Sequence, residues 1–421
     1  MTLAAELAQS ARMVASVAAG KSLAEQFDEE LPLANASRAA LIDLTHGTLR
    51  RYGRSPAIVR ELSSRARSSD DRVEALLWCA FYAVDSGRYR EHTLVDQAVK
   101  ACVFLEQWSA KGYVNALLRR YLRERAAIDA RISRDEEAAH QHPRWWIELV
   151  RRAYPQAWQQ VLAAGNSHPP MGLRLNRRRA EMQTYEGKLA QHGMTARRIG
   201  AQSLILERPV PVERLPGFAS GEVSVQDIGA QRAARLLDAA AGERVLDACA
   251  APGGKTAHIL ELADVALTAL DVNAGRAARM APNLERLGLH AEVRVGDAAE
   301  PAHWWNGVPF ERILADVPCS ASGIARRHPD VKWLRRVDDL ASFATRQGSI
   351  LAGLWRVLAP GGKLLYASCS VFPEENESVV CAFLASQPDA QRLPLSDGQP
   401  AQWLPGAEHD GFYYALIEKR A

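Results

Sequence analysis

Two short cysteine motifs hold the most chemistry in this chain. Asp316-Val317-Pro318-Cys319-Ser320 and Ala367-Ser368-Cys369-Ser370 each close an apolar run that reads as a β-strand. A lone cysteine on such a run is ordinarily a small buried hydrophobe. Two at strand ends, one beside an acid, suit a pair of thiols facing one crevice. Zinc would need further ligands at regular spacing, and the chain has no CxxC pair, so no metal is expected. The use of such thiols would be covalent. Carbon 5 of a cytosine ring is a weak nucleophile. A thiolate adding at carbon 6 turns the ring into an enamine-like species that can attack an electrophilic methyl group. The carboxyl of Asp316, near N3 and the exocyclic amine, would hold the ring and stabilise charge during addition. A second thiol would assist elimination once the C5 proton leaves. Methylation of an exocyclic amine needs only acceptors and an aromatic platform, which Asp-Val-Pro-Cys does not provide.

A second constellation, Asp247-Ala248-Cys249-Ala250-Ala251-Pro252-Gly253-Gly254-Lys255-Thr256, joins a strand to a helix. Its glycines permit close backbone approach, and a helix start offers unpaired N–H donors. A glycine-rich turn alone is generic, and this one lacks the first glycine of the GxxxxGK[ST] phosphate loop. Asp271 ends the strand ALTALDV and could accept from both hydroxyls of a ribose. Asp297 ends the next strand, where a carboxylate can reach an adenine amino group. Three strand-end carboxylates opposite one glycine loop indicate an adenosine site. With no pyrophosphate clamp evident, S-adenosylmethionine fits better than a dinucleotide.

The elements that would position these groups fall into three stretches. Residues 1–140 show apolar positions at three- and four-residue spacing, as in VEALLWCAFYAVDSG, and predict an all-α bundle. Residues 141–220 mix helix and strand patterns and predict a small α+β domain that ends at the Pro-rich PVPVERLPG. Residues 221–421 alternate strand and helix, which predicts a doubly wound α/β sheet with its crevice at the strands' carboxyl ends. Cys79 and Cys102 fall on apolar helical stretches and read as core residues, as does Cys381.

The chain as a whole is +3, but residues 141–215 hold 12 basic against 5 acidic side chains. Arg174, Arg177, Arg178 and Arg179 cluster there, with Trp145 and Trp146 nearby. Guanidinium groups beside aromatic rings suit RNA phosphates and bases.

At this point the sequence resembles a known family. VLDACAAPGGKT, Asp271, Asp297, ADVPCSASGIARRHPDVKW and YASCSVFPEENE resemble the Sun/Fmu-type RNA 5-methylcytosine methyltransferases. The helical region, with KGYVNALLRRYL, is similar to the antitermination factor NusB. The pairing narrows the resemblance to the branch that modifies a cytosine in 16S rRNA. It implies a NusB-like bundle, the small α+β domain and a Rossmann-like S-adenosylmethionine-dependent methyltransferase domain. By resemblance, Cys249, Ala250, Ala251, Pro252, Gly253, Gly254, Lys255, Asp271, Asp297 and Asp316 contact the cofactor. Cys369 is then the nucleophile and Cys319 assists release. Ser368 stands where the family has Thr, keeping the hydroxyl, and Val317 stands for a common Ala. In IARRHPDVKW, the basic groups would either guide RNA or form a structural loop with Asp330. Gln226 and Asp227 would brace the cofactor loop.

No apolar run approaches the ~18–20 residues that cross a bilayer, and the first thirty residues lack the pattern of a secretory signal. Six scattered cysteines do not make a disulfide framework, so a cytoplasmic protein with reduced thiols is expected. Two other readings remain open on residues alone: the same chemistry on transfer RNA, or a non-catalytic RNA-binding or antitermination protein. The helical domain would contact RNA or protein.

Overall fold

A computed structural model describes residues 1–29, 35–63 and 70–420. The chain forms two compact units, one of residues 1–168 with 325–337 and one of residues 169–324 with 338–421.

The first unit is helical throughout its described residues. Helices Leu3–Ala18, Asp71–Asp85, Glu91–Phe104 and Lys111–Ile132 bury Leu7, Val14, Leu76, Phe81, Leu94 and Leu118 in one core. Cys79 and Cys102 lie in it, as their apolar neighbours predict. The discontinuous piece, 325–337, is bound tightly within this unit. Lys332 is fully buried, and its ammonium donates to the carbonyls of Arg50 (3.1 Å) and Gln141 (3.0 Å) and to Asn166 Oδ1 (2.7 Å). Trp333 donates its indole N–H to Leu49 O, Arg50 donates to Arg326 O, and Asp330 accepts from Leu23 N. Arg326 is buried as well. Lys332 is therefore structural rather than free to guide RNA, and its partners are Arg50 O, Gln141 O and Asn166 Oδ1 rather than Asp330.

Among its described residues the second unit holds twelve strands: β1 Met171–Leu175, β2 Ala196–Arg198, β3 Ser203–Leu206, β4 Val223–Val225, β5 Arg244–Ala248, β6 Ala266–Asp271, β7 Glu292–Val295, β8 Phe310–Asp316, β9 Leu358–Ser368, β10 Ala390–Leu393, β11 Gln402–Trp403 and β12 Phe412–Lys419. Four of them form a small antiparallel sheet in the order β2-β3-β1-β4. The large sheet runs β10-β12-β9-β8-β5-β6-β7, with β11 pairing β12. Strands β9, β8, β5, β6 and β7 are parallel, and β12 enters antiparallel beside β9.

Successive residues alternate between two cores: Leu246, Ile313, Leu364 and Tyr366 pack on one face, and Val245, Leu314, Leu365 and Ala367 on the other. Covering both faces is what a parallel sheet requires. The order reverses between β5 and β8, and such a switch point opens a crevice at the strands' carboxyl ends. No helix among the described residues is long and apolar enough to cross a membrane.

Candidate active site

That crevice is a cavity of about 370 Å³ lined by Cys249, Ala251, Lys255, Asp271, Asp316, Cys319, Arg346, Cys369 and Phe412, among others. Its volume lies within the range of small-molecule sites.

The floor comes from the turn between β5 and helix Gly254–Leu262. Cys249 has φ 61° and Gly253 φ 90°. A Cβ on Gly253 would also press on Met280 Cγ at 3.0 Å, so glycine is needed there. The helix begins without a side-chain cap, leaving its first N–H groups for other acceptors. Asp271 pins the turn by accepting from Ala251 N (3.1 Å) and, through its other oxygen, from Asn273 N (3.0 Å). Each carboxylate oxygen retains a lone pair for a further donor.

Asp247, by contrast, points into the protein. It is fully buried and accepts from Thr256 Oγ1 at 2.6 Å, and burial pushes its carboxyl up to about 7. Asp297 does not line the cavity. It sits beside it, accepting from Ala299 N and from Arg346, whose side chain does line it. Burial works against the Asp297 charge, but the bonds from Arg346 and Ala299 N together with the Arg346 charge outweigh it and hold the carboxyl below its usual range. Ala250, Pro252, Gly253 and Gly254 shape the turn behind the lining residues. Burial, then Asp316, raises the Cys249 thiol to about 12.

The far wall carries the two thiols. Cys319 Sγ and Cys369 Sγ are 3.3 Å apart, Cys319 buried and Cys369 half-buried. The bond to Cys369 and burial hold the Cys319 thiol well above its ordinary value. Asp316 Oδ2 meets Lys255 Nζ at 2.6 Å. Burial opposes the Lys255 charge, but Asp316 more than compensates, so the ammonium is held above its usual range.

Residues that sequence reasoning did not single out hold the two cysteine loops together. Glu375 is fully buried and accepts from Ser320 N (2.6 Å), Ser320 Oγ (2.5 Å) and Ser370 Oγ (2.6 Å). Gly323 N donates to Cys369 O at 2.8 Å, and a Cβ on Gly323 would lie 2.3 Å from Gly411 O. Ser368 donates to Asn376 Oδ1, and Gln347 donates to Pro318 O. Glu375 and Asn376 lie in the PEENE run that follows Cys369. A signal was present there, since an acidic run directly after an apolar strand must find donors or solvent.

Two sequence expectations are corrected. Cys381 is exposed, because helix Glu377–Ser386 turns Val379, Val380 and Phe383 inward and Cys381 away from them. Arg174 does not belong to an exposed basic cluster. It is buried against Glu261, while Arg177, Arg178 and Arg179 are exposed. Gln226 does approach the turn after β5, its Nε2 lying 3.8 Å from where a Cβ on Gly254 would sit, and Asp227 instead accepts from Gly229 N and Asp410 N.

Comparison with known proteins matches residues 234–418 to the family model "16S rRNA methyltransferase RsmB/F". Residues 142–213 match an RsmF/B-like ferredoxin-like domain, and residues 4–123 match the NusB family. A ribosomal RNA small subunit methyltransferase B from Vibrio cholerae is 42% identical over 388 residues, 91% of this chain and 89% of that protein. One from Pseudomonas syringae is 41% identical across 98% of this chain and 96% of its own length. A solved methyltransferase homolog protein from Pyrococcus horikoshii superposes with a TM-score of 0.60 at 27% identity, covering 68% of this chain and 98% of that one.

Proposed function

The chain belongs to the 16S rRNA methyltransferase RsmB/F family, and from that premise we infer that it methylates carbon 5 of a cytosine in 16S rRNA through a transient bond between Cys369 and carbon 6 of the ring. It is an S-adenosylmethionine-dependent rRNA methyltransferase. The observation that carries the ring-carbon reading is the pair of sulfurs 3.3 Å apart on the cavity wall. One sulfur is needed to add to the ring and a second to help it leave.

The cavity suits the cofactor. Val272, Ile350 and Phe412 supply apolar surface, Asp271 keeps acceptor capacity for ribose hydroxyls, and the uncapped helix start lies beside it. We assign Cys249 through Lys255, Asp271, Asp297 and Asp316 to holding it, Asp297 acting beside the wall through Arg346. When bound there, S-adenosylmethionine supplies an electrophilic methyl group.

The chain's own groups then divide the work. Cys319, the more buried thiol and held high, keeps its proton beside the Cys369 sulfur. Cys369 is therefore the sulfur that adds to carbon 6. Lys255 keeps Asp316 oriented. That carboxylate accepts from the exocyclic amine and from N3–H as the ring gains a proton during addition. Loss of the C5 proton restores the ring double bond and returns the bonding pair to Cys369, beside the Cys319 thiol. A paired cytosine must leave its stack to reach this wall.

For the remainder we propose a division into a NusB-like domain at 1–140, an RNA-docking α+β domain at 141–220 and the methyltransferase domain at 221–421, working in the cytoplasm. Exposed Arg177 and Arg208 are available for phosphate contact, and the helical domain contacts RNA or protein.

Radiolabelled S-adenosylmethionine tests the route. Cys369→Ala should bind cofactor yet transfer no methyl group, and Cys319→Ala should accumulate a protein–RNA adduct. Full methylation by Cys369→Ala would refute the covalent route. Bisulfite mapping of 16S rRNA with and without the gene tests the ring position.

A further inference from the structure

Arg174 lies inside β1, in the small antiparallel sheet, and is 1% exposed. Its guanidinium spends its donors on the helix that leaves the cofactor turn. Nε and Nη2 pair with Glu261 at 2.9 and 2.7 Å, near that helix's carboxyl end. Nη1 donates to the Gly254 carbonyl (2.8 Å), at the helix's first residue, and to Gln226 Oε1 (2.5 Å). Gln226 is itself tied to the small sheet, since its N–H donates to Gly172 O at 3.0 Å. One planar fork thus grips helix Gly254–Leu262 at both ends from a neighbouring sheet. Lys255, which pairs with Asp316, is the next residue after the gripped carbonyl.

We propose that Arg174 is a positioning residue for S-adenosylmethionine: it fixes the height and rotation of the helix whose start forms the cofactor turn. A buried ion pair is a poor device for stability alone, because well-packed apolar residues of similar volume often do as well or better. Its geometry is what apolar residues cannot copy, since only a guanidinium presents a rigid planar set of donors to several acceptors at once. Displacing a binding group by about 1 Å can cost on the order of a hundredfold.

The inference rests on this turn being the cofactor cradle, so the experiment includes Asp271→Ala as a separate probe of that reading. The main variant is the full-length double substitution Arg174→Met with Glu261→Met, which removes both buried charges together. Calorimetric titration with S-adenosylmethionine and steady-state kinetics on 16S rRNA are the readouts. The expected result is cofactor binding weakened about tenfold or more, a raised KM for S-adenosylmethionine and a kcat at saturating cofactor within about twofold. A merely structural role would lower the melting temperature or kcat and leave cofactor KM unmoved, which would overturn the proposal. If the double variant does not fold, Arg174→Lys replaces it. That variant keeps a charge opposite Glu261 but cannot also reach Gly254 and Gln226, and unchanged cofactor affinity there overturns the proposal equally. Should Asp271→Ala weaken binding while the Arg174 variants do not, the brace fails and the cradle stands. If none of them does, the cradle itself fails.

Discussion

Replacing Glu375 with Gln should uncouple the two cysteine loops while barely changing the shape of the site. The carboxylate, an acceptor only, takes three donors: Ser320 N–H, Ser320 Oγ–H and Ser370 Oγ–H. In the amide one oxygen can stay on Ser320 N–H, but an NH2 group then faces the two hydroxyls. Those hydroxyls cannot simply turn round. Ser370 Oγ already accepts from Phe372 N, and Ser322 bridges Ser320 and Ser370 while accepting from Val371 N. Bonds to a charged group contribute about 1.5–3 kcal/mol against about 0.5–1.5 for neutral ones. Weakening two of them costs roughly 2–4 kcal/mol. In a unit of this size that lowers the melting temperature by roughly 5–15 °C. The rate should fall as well, because the sulfurs would no longer be held in contact, and a misplacement of about 1 Å costs on the order of a hundredfold. Calorimetric melting and single-turnover methyl transfer on 16S rRNA measure the two effects separately. An unchanged melt together with a rate within twofold of the parent would refute the view that Glu375 joins the loops.

Asp247→Asn probes the buried carboxyl behind the glycine-rich turn after β5. Its folded value of about 7 lies above the ordinary 3.8, so between about pH 4 and 7 the folded state binds the extra proton and stability falls as pH rises. Asn should remove that slope and gain up to about 4 kcal/mol at pH 8, read as a higher melting temperature at pH 8 and little difference at pH 4. A parallel pH dependence in both proteins would exclude this role. Asp316→Asn leaves the half-buried Lys255 ammonium facing a neutral amide in place of the carboxylate 2.6 Å away; methyl transfer should drop by at least about a hundredfold, measured at saturating cofactor, and a near-parental rate would remove Asp316 from the chemistry. Cys319 and Cys369 are close enough for peroxide to take two hydrogens from the pair, leaving a disulfide and water. Intact-mass measurement should show that loss reversed by dithiothreitol and absent from Cys319→Ser, whereas persistent free thiols under mild oxidant would argue against the pair's geometry.

Much of this molecule was legible in its residues because its strands end in chemistry. The apolar runs before Asp271, Asp316 and Cys369 form β6, β8 and β9, and both cysteine motifs face one cavity. The helical N-terminal region was equally plain from its three- and four-residue periodicity. Short edge strands such as β2, β4 and β11 carry too few residues for a pattern to show. Side-chain direction was the harder quantity. Asp247 and Asp271 look alike as strand-end acids, yet the first turns to Thr256 and the second to the backbone of Ala251. Arg174 sits among exposed arginines but alternates inward on β1, where Glu261, distant in sequence, awaits it. The role of Lys332 stayed open between RNA contact and structure because two of its acceptors are backbone carbonyls, which a sequence does not display.

The helical unit is assembled from a chain that leaves and comes back, and this sets a timetable for its birth. Residues 1–168 emerge from the ribosome long before 325–337, the piece that supplies Lys332 and Trp333 to Arg50, Gln141, Asn166 and Leu49. At about 5–20 residues per second the interval is roughly 8–30 s. Throughout it the slot stays open, with its carbonyls wet and Tyr52 lacking the ring of Trp333 that later lies 4.9 Å away. Maturation of the amino-terminal half is thereby deferred until the thiol at position 319 has already been synthesised.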